Sequence, residues 1–151
     1  MTSAAFDTSA LVKLVVEEKG SPTARELWGA AEPPVCCRLA YVEARAALAA
    51  GRRSHRLTHP QLTTAKRALN AVWQQAAVVE VTEALALDAA DIAERRALRA
   101  YDTVHIAAAR AAGAAAFVTV DEQQREAAIA ERLVALDPAS LATTERRDDL
   151  P

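Results

Sequence analysis

Aromatic residues are scarce in this chain: two each of Trp, Tyr and Phe among 151 residues, 4% in all. Small side chains must therefore build the core, and the alanine-rich 52% apolar fraction predicts many closely packed helices. Basic charge is not in excess either. The formal net charge is −2, so no overall positive field announces a nucleic-acid partner. No uninterrupted apolar run reaches the roughly 18–20 residues that a membrane-crossing helix needs. No secretory leader is expected, because an apolar strand and an aspartate stand at the N-terminus. Cysteine is confined to the adjacent pair Cys36 and Cys37. Neighbouring cysteines rarely reach disulfide geometry, so no internal bridge is expected and a reducing cytoplasm fits. With no other ligand suitably spaced around them, they also make a poor zinc site. A disordered chain would be less apolar. About 150 residues suffice for one domain with a sizeable core.

What is present is an alternation of short apolar runs with helical spacing. Residues 3–6, 35–37, 78–81, 116–120 and 133–136 read as buried strands. Helices are predicted over residues 10–18, 22–31, 39–50, 60–75, 84–98, 101–112 and 122–131. In the first of these, Leu11, Leu14 and Val15 form the apolar face, and Lys13, Glu17 and Glu18 read as facing water. Ser21 reads as the N-cap of the second helix with Pro22 at its first position, and Gly51 and Gly113 read as helix stops. The domain is expected to span residues 1–142, with a charged, frayed tail over 143–151. Strands separated by helices predict an α/β three-layer α/β/α sandwich with a mainly parallel sheet of four to five short strands. In such sheets the ligand site lies beyond the carboxyl ends of the strands.

Four carboxylates stand where an apolar stretch ends or along an apolar face. Asp7 and Asp121 follow predicted strands. Asp102 shares a helical face with Ile106, Ala109 and Gly113, and Glu43 shares one with Leu39, Ala46, Ala47 and Ala50. An ionised carboxylate near a core is costly unless paired, and four obvious lysine or arginine neighbours are missing. A shared divalent cation is the expected partner. Oxygen ligands suit Mg²⁺ or Mn²⁺, and the matching chemistry is in-line attack of water on a phosphodiester. Thr8, Ser9 and Thr119 are placed to support the carboxylates by hydrogen bonds. Taken singly, Asp7 and Asp121 read equally well as helix N-caps, and Glu43 as a surface glutamate.

The segments that carry these acids resemble the four motifs of PIN domains. Phe6-Asp7-Thr8-Ser9-Ala10-Leu11-Val12 is similar to the opening motif, and Val42-Glu43-Ala44-Arg45-Ala46-Ala47-Leu48 to the second. Tyr101-Asp102-Thr103-Val104-His105-Ile106-Ala107-Ala108-Ala109 resembles the third, and Phe117-Val118-Thr119-Val120-Asp121 the fourth. A chain of this size resembles a VapC-type ribonuclease toxin of a type II toxin–antitoxin pair. The resemblance implies a PIN-like fold and Mg²⁺- or Mn²⁺-dependent endoribonuclease activity. It implies Asp7, Glu43, Asp102 and Asp121 as catalytic and metal-binding residues, with Ser9 and Thr119 in support. It also implies a homodimer, a VapB-like antitoxin whose C-terminal segment blocks the cleft, and an RNA substrate such as tRNA, rRNA or mRNA.

Between Ala44 and Val79 the chain has no acid, yet it holds Arg45, Arg52, Arg53, Arg56, Lys66 and Arg67, with His55 and His59. Contact with RNA phosphates is one reading, and a solvated helix–loop–helix surface is the other. His105, three residues after Asp102, reads as a general acid or, in preference, as a buried hydrogen-bonded histidine. Trp28 and Trp73 are expected in the core or an interface, with base stacking as the alternative for Trp73. A haloacid-dehalogenase-like phosphatase would want an acid where Ser9 stands. A response-regulator receiver would want paired acids, and Thr8 follows Asp7. A non-catalytic PIN-fold RNA- or protein-binding module and a free-standing RNA-processing nuclease stay open as alternatives.

Overall fold

A computed structural model describes residues 2–141. Its strands are β1 (Ala4–Phe6), β2 (Pro34–Cys37), β3 (Ala77–Val79), β4 (Ala116–Val118) and β5 (Val134–Leu136). They form one parallel sheet in the order β3-β2-β1-β4-β5. The helices are α1 (Thr8–Val15), α2 (Ser21–Ala30), α3 (Arg38–Arg53), α4 (His59–Trp73), α5 (Glu83–Arg95), α6 (Ala100–Ala111) and α7 (Glu122–Ala130).

Alternation along the strands separates two cores. Ala4, Phe6, Cys36 and Val118 pack with Leu11, Trp28, Leu48 and Leu69 from α1 to α4. Ala5, Val35, Cys37 and Phe117 pack on the other face with Leu85, Ile92, Ile106 and Ala127 from α5 to α7. This is the expected α/β/α sandwich. The small-residue core is realised most fully in α3 and α6, where Ala40, Ala44, Ala107 and Ala109 are completely buried. Each fully buried leucine, such as Leu48 or Leu69, adds about 1.5–3 kcal/mol.

The chain winds from β1 outward through β2 to β3, then crosses back to place β4 on the other side of β1. Strand order reverses beside β1, so a crevice opens at its carboxyl end. Pairing of Phe6 with Val118 brings the residues after β1 level with those after β4. The Asp7 amide donates to the Val118 carbonyl at 3.2 Å, which extends the match by one residue.

Several local expectations are corrected. The third strand stops at Val79, because β2 offers no partner beyond Cys37, and Val81 is left 47% exposed. Glu80 turns instead to pair with Arg38, and Thr82 caps α5 by accepting from Leu85 N at 3.2 Å. Ser21 is not a cap. Gly20 takes that position at φ 87°, and the Ser21 hydroxyl accepts from Glu18 N and donates to the Val16 carbonyl. Gly51 does not end α3, which continues to Arg53. It lies buried where a Cβ would stand 3.1 Å from Leu57 Cδ1, so its role is close packing. Gly113, at φ 63°, does follow the end of α6 as expected. Lys13, read as facing water, is buried.

Cys36 and Cys37 are free and buried, and burial pushes both thiols up from their ordinary range. Trp28 packs edge-on against Phe6 and donates to Gln75 Oε1 at 3.0 Å. Trp73 lies against Tyr41 with the Arg38 guanidinium over its ring. Among the described residues no helix is long and apolar enough to cross a membrane. The tail expected over 143–151 lies outside the described residues.

Candidate functional site

Asp7 is the first residue after β1 and the N-cap of α1. Its side chain is almost wholly buried, 1% exposed, and receives four hydrogen bonds. Oδ1 accepts from Ser9 Oγ at 2.7 Å and Ala10 N at 2.9 Å. Oδ2 accepts from Thr119 Oγ1 at 2.6 Å and Gln124 Nε2 at 3.2 Å. Burial pushes the Asp7 carboxyl up from its ordinary range. The bonds from Thr119, Ser9 and Ala10, and the field of His105, pull it back without cancelling that effect. Capping therefore does not compete with a place in the site, because Asp7 caps α1 from within the cleft.

Ser9 and Thr119 join the ends of β1 and β4. Ser9 Oγ accepts from Val120 N at 3.2 Å, and Thr119 Oγ1 accepts from Asp121 N at 3.0 Å. Asp121 in turn caps α7, its Oδ1 accepting from Gln124 N at 2.8 Å. Glu43 projects from α3 with a side chain 32% exposed, and His105 Nε2 donates to its Oε1 at 2.6 Å. His105 is buried, as preferred from sequence, and its Nε2 meets both an acid of the cluster and, at 3.4 Å, Thr8 Oγ1. Its Nδ1 is buried with no partner among the described residues. Asp102, in the first turn of α6, has a side chain 13% exposed and accepts from Arg99 Nε at 3.3 Å.

All four acids line one cleft of about 370 Å³ at the carboxyl edge of the sheet. Thr8, Ser9, Lys13, Arg99, His105 and Gln124 share its walls. Among the described residues, no three carboxylate, histidine or cysteine side chains stand close enough together to hold a metal between them. Each acid is instead engaged by donors of the protein.

Three lining residues were not read from sequence. Lys13 Nζ donates to the Lys19 carbonyl at 2.7 Å and stands 3.5 Å from Glu18. Its four-residue spacing from Ser9 would have placed both on one face of α1. Arg99 stands three residues before Asp102. Gln124 stands three after Asp121, where a capping-box partner is expected; its side chain reaches Asp7 instead. The arginines singled out in the basic stretch do not line the cleft. Arg45 donates to Tyr41 Oη at 3.0 Å, and Arg52 and Arg53 lie in the last turn of α3. Arg56 flanks a groove that shares Val12, Glu18 and Ala47 with the cleft and continues past Leu48 and Leu57.

Residues 4–130 match the family model of the PIN domain. Ribonuclease VapC45 of Mycobacterium tuberculosis is 44% identical over 108 residues, which cover 72% of this chain and 75% of that protein. This chain belongs to the PIN-domain family, in its VapC type. Solved structures of similar fold include the following two. PAE2754 from Pyrobaculum aerophilum superposes with a TM-score of 0.70 at 22% identity, covering 95% of this chain and 88% of its own. A toxin–antitoxin complex from Klebsiella pneumoniae gives 0.65 at 15% identity, with 90% of this chain and 98% of that one covered. In this PIN domain the acids come from four separate elements, and the fold alone gathers them.

Proposed function

We propose that this chain is a Mg²⁺- or Mn²⁺-dependent endoribonuclease, the toxin of a VapBC-type pair. Asp7, Glu43, Asp102 and Asp121 are its catalytic and metal-binding residues, with Ser9 and Thr119 in support. The observation that carries this reading is that all four acids line one cleft at the carboxyl edge of the sheet. The 44% identity to a protein named as a ribonuclease supports the activity. The likeness to a toxin–antitoxin complex supports a VapB-like antitoxin as partner. A homodimer and a cytoplasmic location belong to the same reading.

The donor set fits the cation. Carboxylate oxygens are the ligands Mg²⁺ and Mn²⁺ favour, and Mg²⁺ keeps several waters, needing only one or two carboxylates beside substrate phosphate. A close three-carboxylate cage is therefore not required. Asp7 would hold the cation together with Glu43, Asp102 or Asp121, and water and substrate phosphate would complete its shell. When bound, it would supply the charge that activates water and shields the phosphodiester.

The chain's own residues do the remaining work. Ser9 and Thr119 fix the Asp7 carboxylate against the strand ends. His105 holds Glu43 in one orientation. Lys13 and Arg99 bring positive charge to the walls of an acidic cleft, where a phosphate must approach. Arg45, Arg52, Arg53 and Arg56 contact RNA backbone outside the cleft, and the groove leading to Arg56 gives the strand its path.

The test is cleavage of total bacterial RNA by the purified chain in Mn²⁺ or Mg²⁺, with EDTA and Asp7→Asn as controls. Discrete fragments that disappear in both controls are expected, with the Asp7→Asn protein keeping its circular dichroism spectrum. Undiminished cleavage by Asp7→Asn would refute the site assignment. No cleavage by metal-loaded wild type would favour a PIN-fold binding module.

A further inference from the structure

Gln124 lies in the first turn of α7, 6% exposed, on the wall of the acidic cleft. Its two amide atoms differ sharply in surroundings. Nε2 donates to Asp7 Oδ2 at 3.2 Å. Oε1 is buried and has no hydrogen-bond partner among the described residues. A buried acceptor without a donor is unfavourable and calls for an explanation. Reversing the amide is no remedy, since Oε1 would then face the Asp7 carboxylate.

An ionised carboxylate offers about four lone-pair positions. At Asp7 the donors Ser9, Ala10, Thr119 and Gln124 account for all of them. For Asp7 to ligate a cation, one donor must withdraw. Ala10 N is fixed in the first turn of α1. The Ser9 and Thr119 hydroxyls also accept from Val120 N and Asp121 N, so moving either would undo the junction of β1 with β4. Gln124 makes the longest of the four contacts, from the end of a flexible side chain, and its departure relieves the donorless Oε1.

We propose that Gln124 is a displaceable latch on Asp7: its amide holds the position at Oδ2 that a divalent cation takes, and the cation must swing it aside to bind. This rests on the reading of Asp7 as a cation ligand. The latch is weak, because the bare Oε1 offsets part of what the Nε2 bond contributes. Removing it therefore tightens cation binding by about three- to tenfold.

The experiment is Mn²⁺ affinity of the whole chain, measured by electron paramagnetic resonance of the free ion, for wild type, Gln124→Leu, Gln124→Ala and Asp7→Asn. Leucine keeps the volume of the side chain, and alanine serves if leucine does not fold. Tighter binding by the Gln124 variants, with binding lost in Asp7→Asn, is the expected result. Equal or weaker binding by the Gln124 variants, with Asp7→Asn still deficient, overturns the latch and leaves the reading of Asp7 standing. Failure of wild type to bind Mn²⁺, or wild-type affinity in Asp7→Asn, overturns both. A second readout needs no variant. The Gln124 side-chain amide resonances should shift when Mg²⁺ is added, and resonances unmoved at saturating Mg²⁺ would also overturn the latch.

Discussion

Gly20 and Gly29 stand at opposite ends of α2, and the same substitution should act on them with opposite sign. Gly20 is the N-cap, at φ 87°. A Cβ there would lie 2.7 Å from Ala139 N and 2.8 Å from both Ala139 Cα and Pro138 C. These are backbone atoms, so no rotamer change relieves the overlap. A left-handed residue with a Cβ costs about 1–2 kcal/mol, and forcing packed atoms apart costs about 1–3 more. Gly20→Ala should therefore lose about 2–5 kcal/mol. At about 2–4 °C per kcal/mol for a chain of this size, the Tm should fall by roughly 4–20 °C. Gly29 is exposed, with nothing within 4 Å of its added Cβ. Gly29→Ala removes only the entropic penalty of glycine in a helix, so it should gain up to about 0.5–1 kcal/mol. Calorimetric melts of the two variants beside wild type measure both shifts. If the two move Tm in the same direction, the argument from local backbone and space fails.

Glu131 has a side chain 8% exposed and pairs with Arg95 and Arg96 at 3.1 Å and Arg110 at 3.2 Å. Burial pushes its carboxyl up, but the bonds from Arg95 and Arg96 and the fields of Arg95 and Arg110 leave it below its ordinary value of 4.5. A depressed folded pKa gives stability that is present above the unfolded value and lost as pH falls through the folded one. Glu131→Gln should cost about 1–3 kcal/mol at pH 7, and its Tm deficit should close as pH drops below 4.5. A deficit independent of pH would refute this. His105→Leu, which removes the donor to Glu43, should slow RNA cleavage by about 10–100-fold, the usual cost of losing support around a metal site. His105→Gln, which keeps a donor, should retain more of the rate, and equal loss in both would reduce His105 to a packing role.

The sheet was legible because buried parallel strands are short continuous apolar runs, while the helices around them keep a 3.6-residue period. Asp7 and Asp121 stood out because each breaks off such a run. What sequence could not show depended on contacts distant along the chain. Val81 continues the apolar run of β3, but pairing stops where β2 stops. Gly51 looks like a helix stop, and only the approach of Leu57 reveals why a Cβ is excluded there. Lys13 carries a charge and so reads as exposed, yet the Lys19 carbonyl and Glu18 receive it in the cleft wall. Gln124 sits at a capping position, and nothing local indicates that its amide turns to Asp7 across 117 residues of chain.

That separation bears on synthesis. Domains begin to fold from the N-terminus as the chain leaves the ribosome, and the segments up to α6 supply Asp7, Glu43 and Asp102 early. Thr119, Asp121 and Gln124 arrive only with β4 and α7, and Asp7 reaches its full set of donors when β4 docks beside β1. An incomplete nascent chain thus carries a buried-to-be carboxylate with only its local donors, Ser9 and Ala10, and an acidic cleft that still lacks Asp121. The cleft is completed only after nearly the whole domain has been translated, so a prematurely terminated product lacks the site.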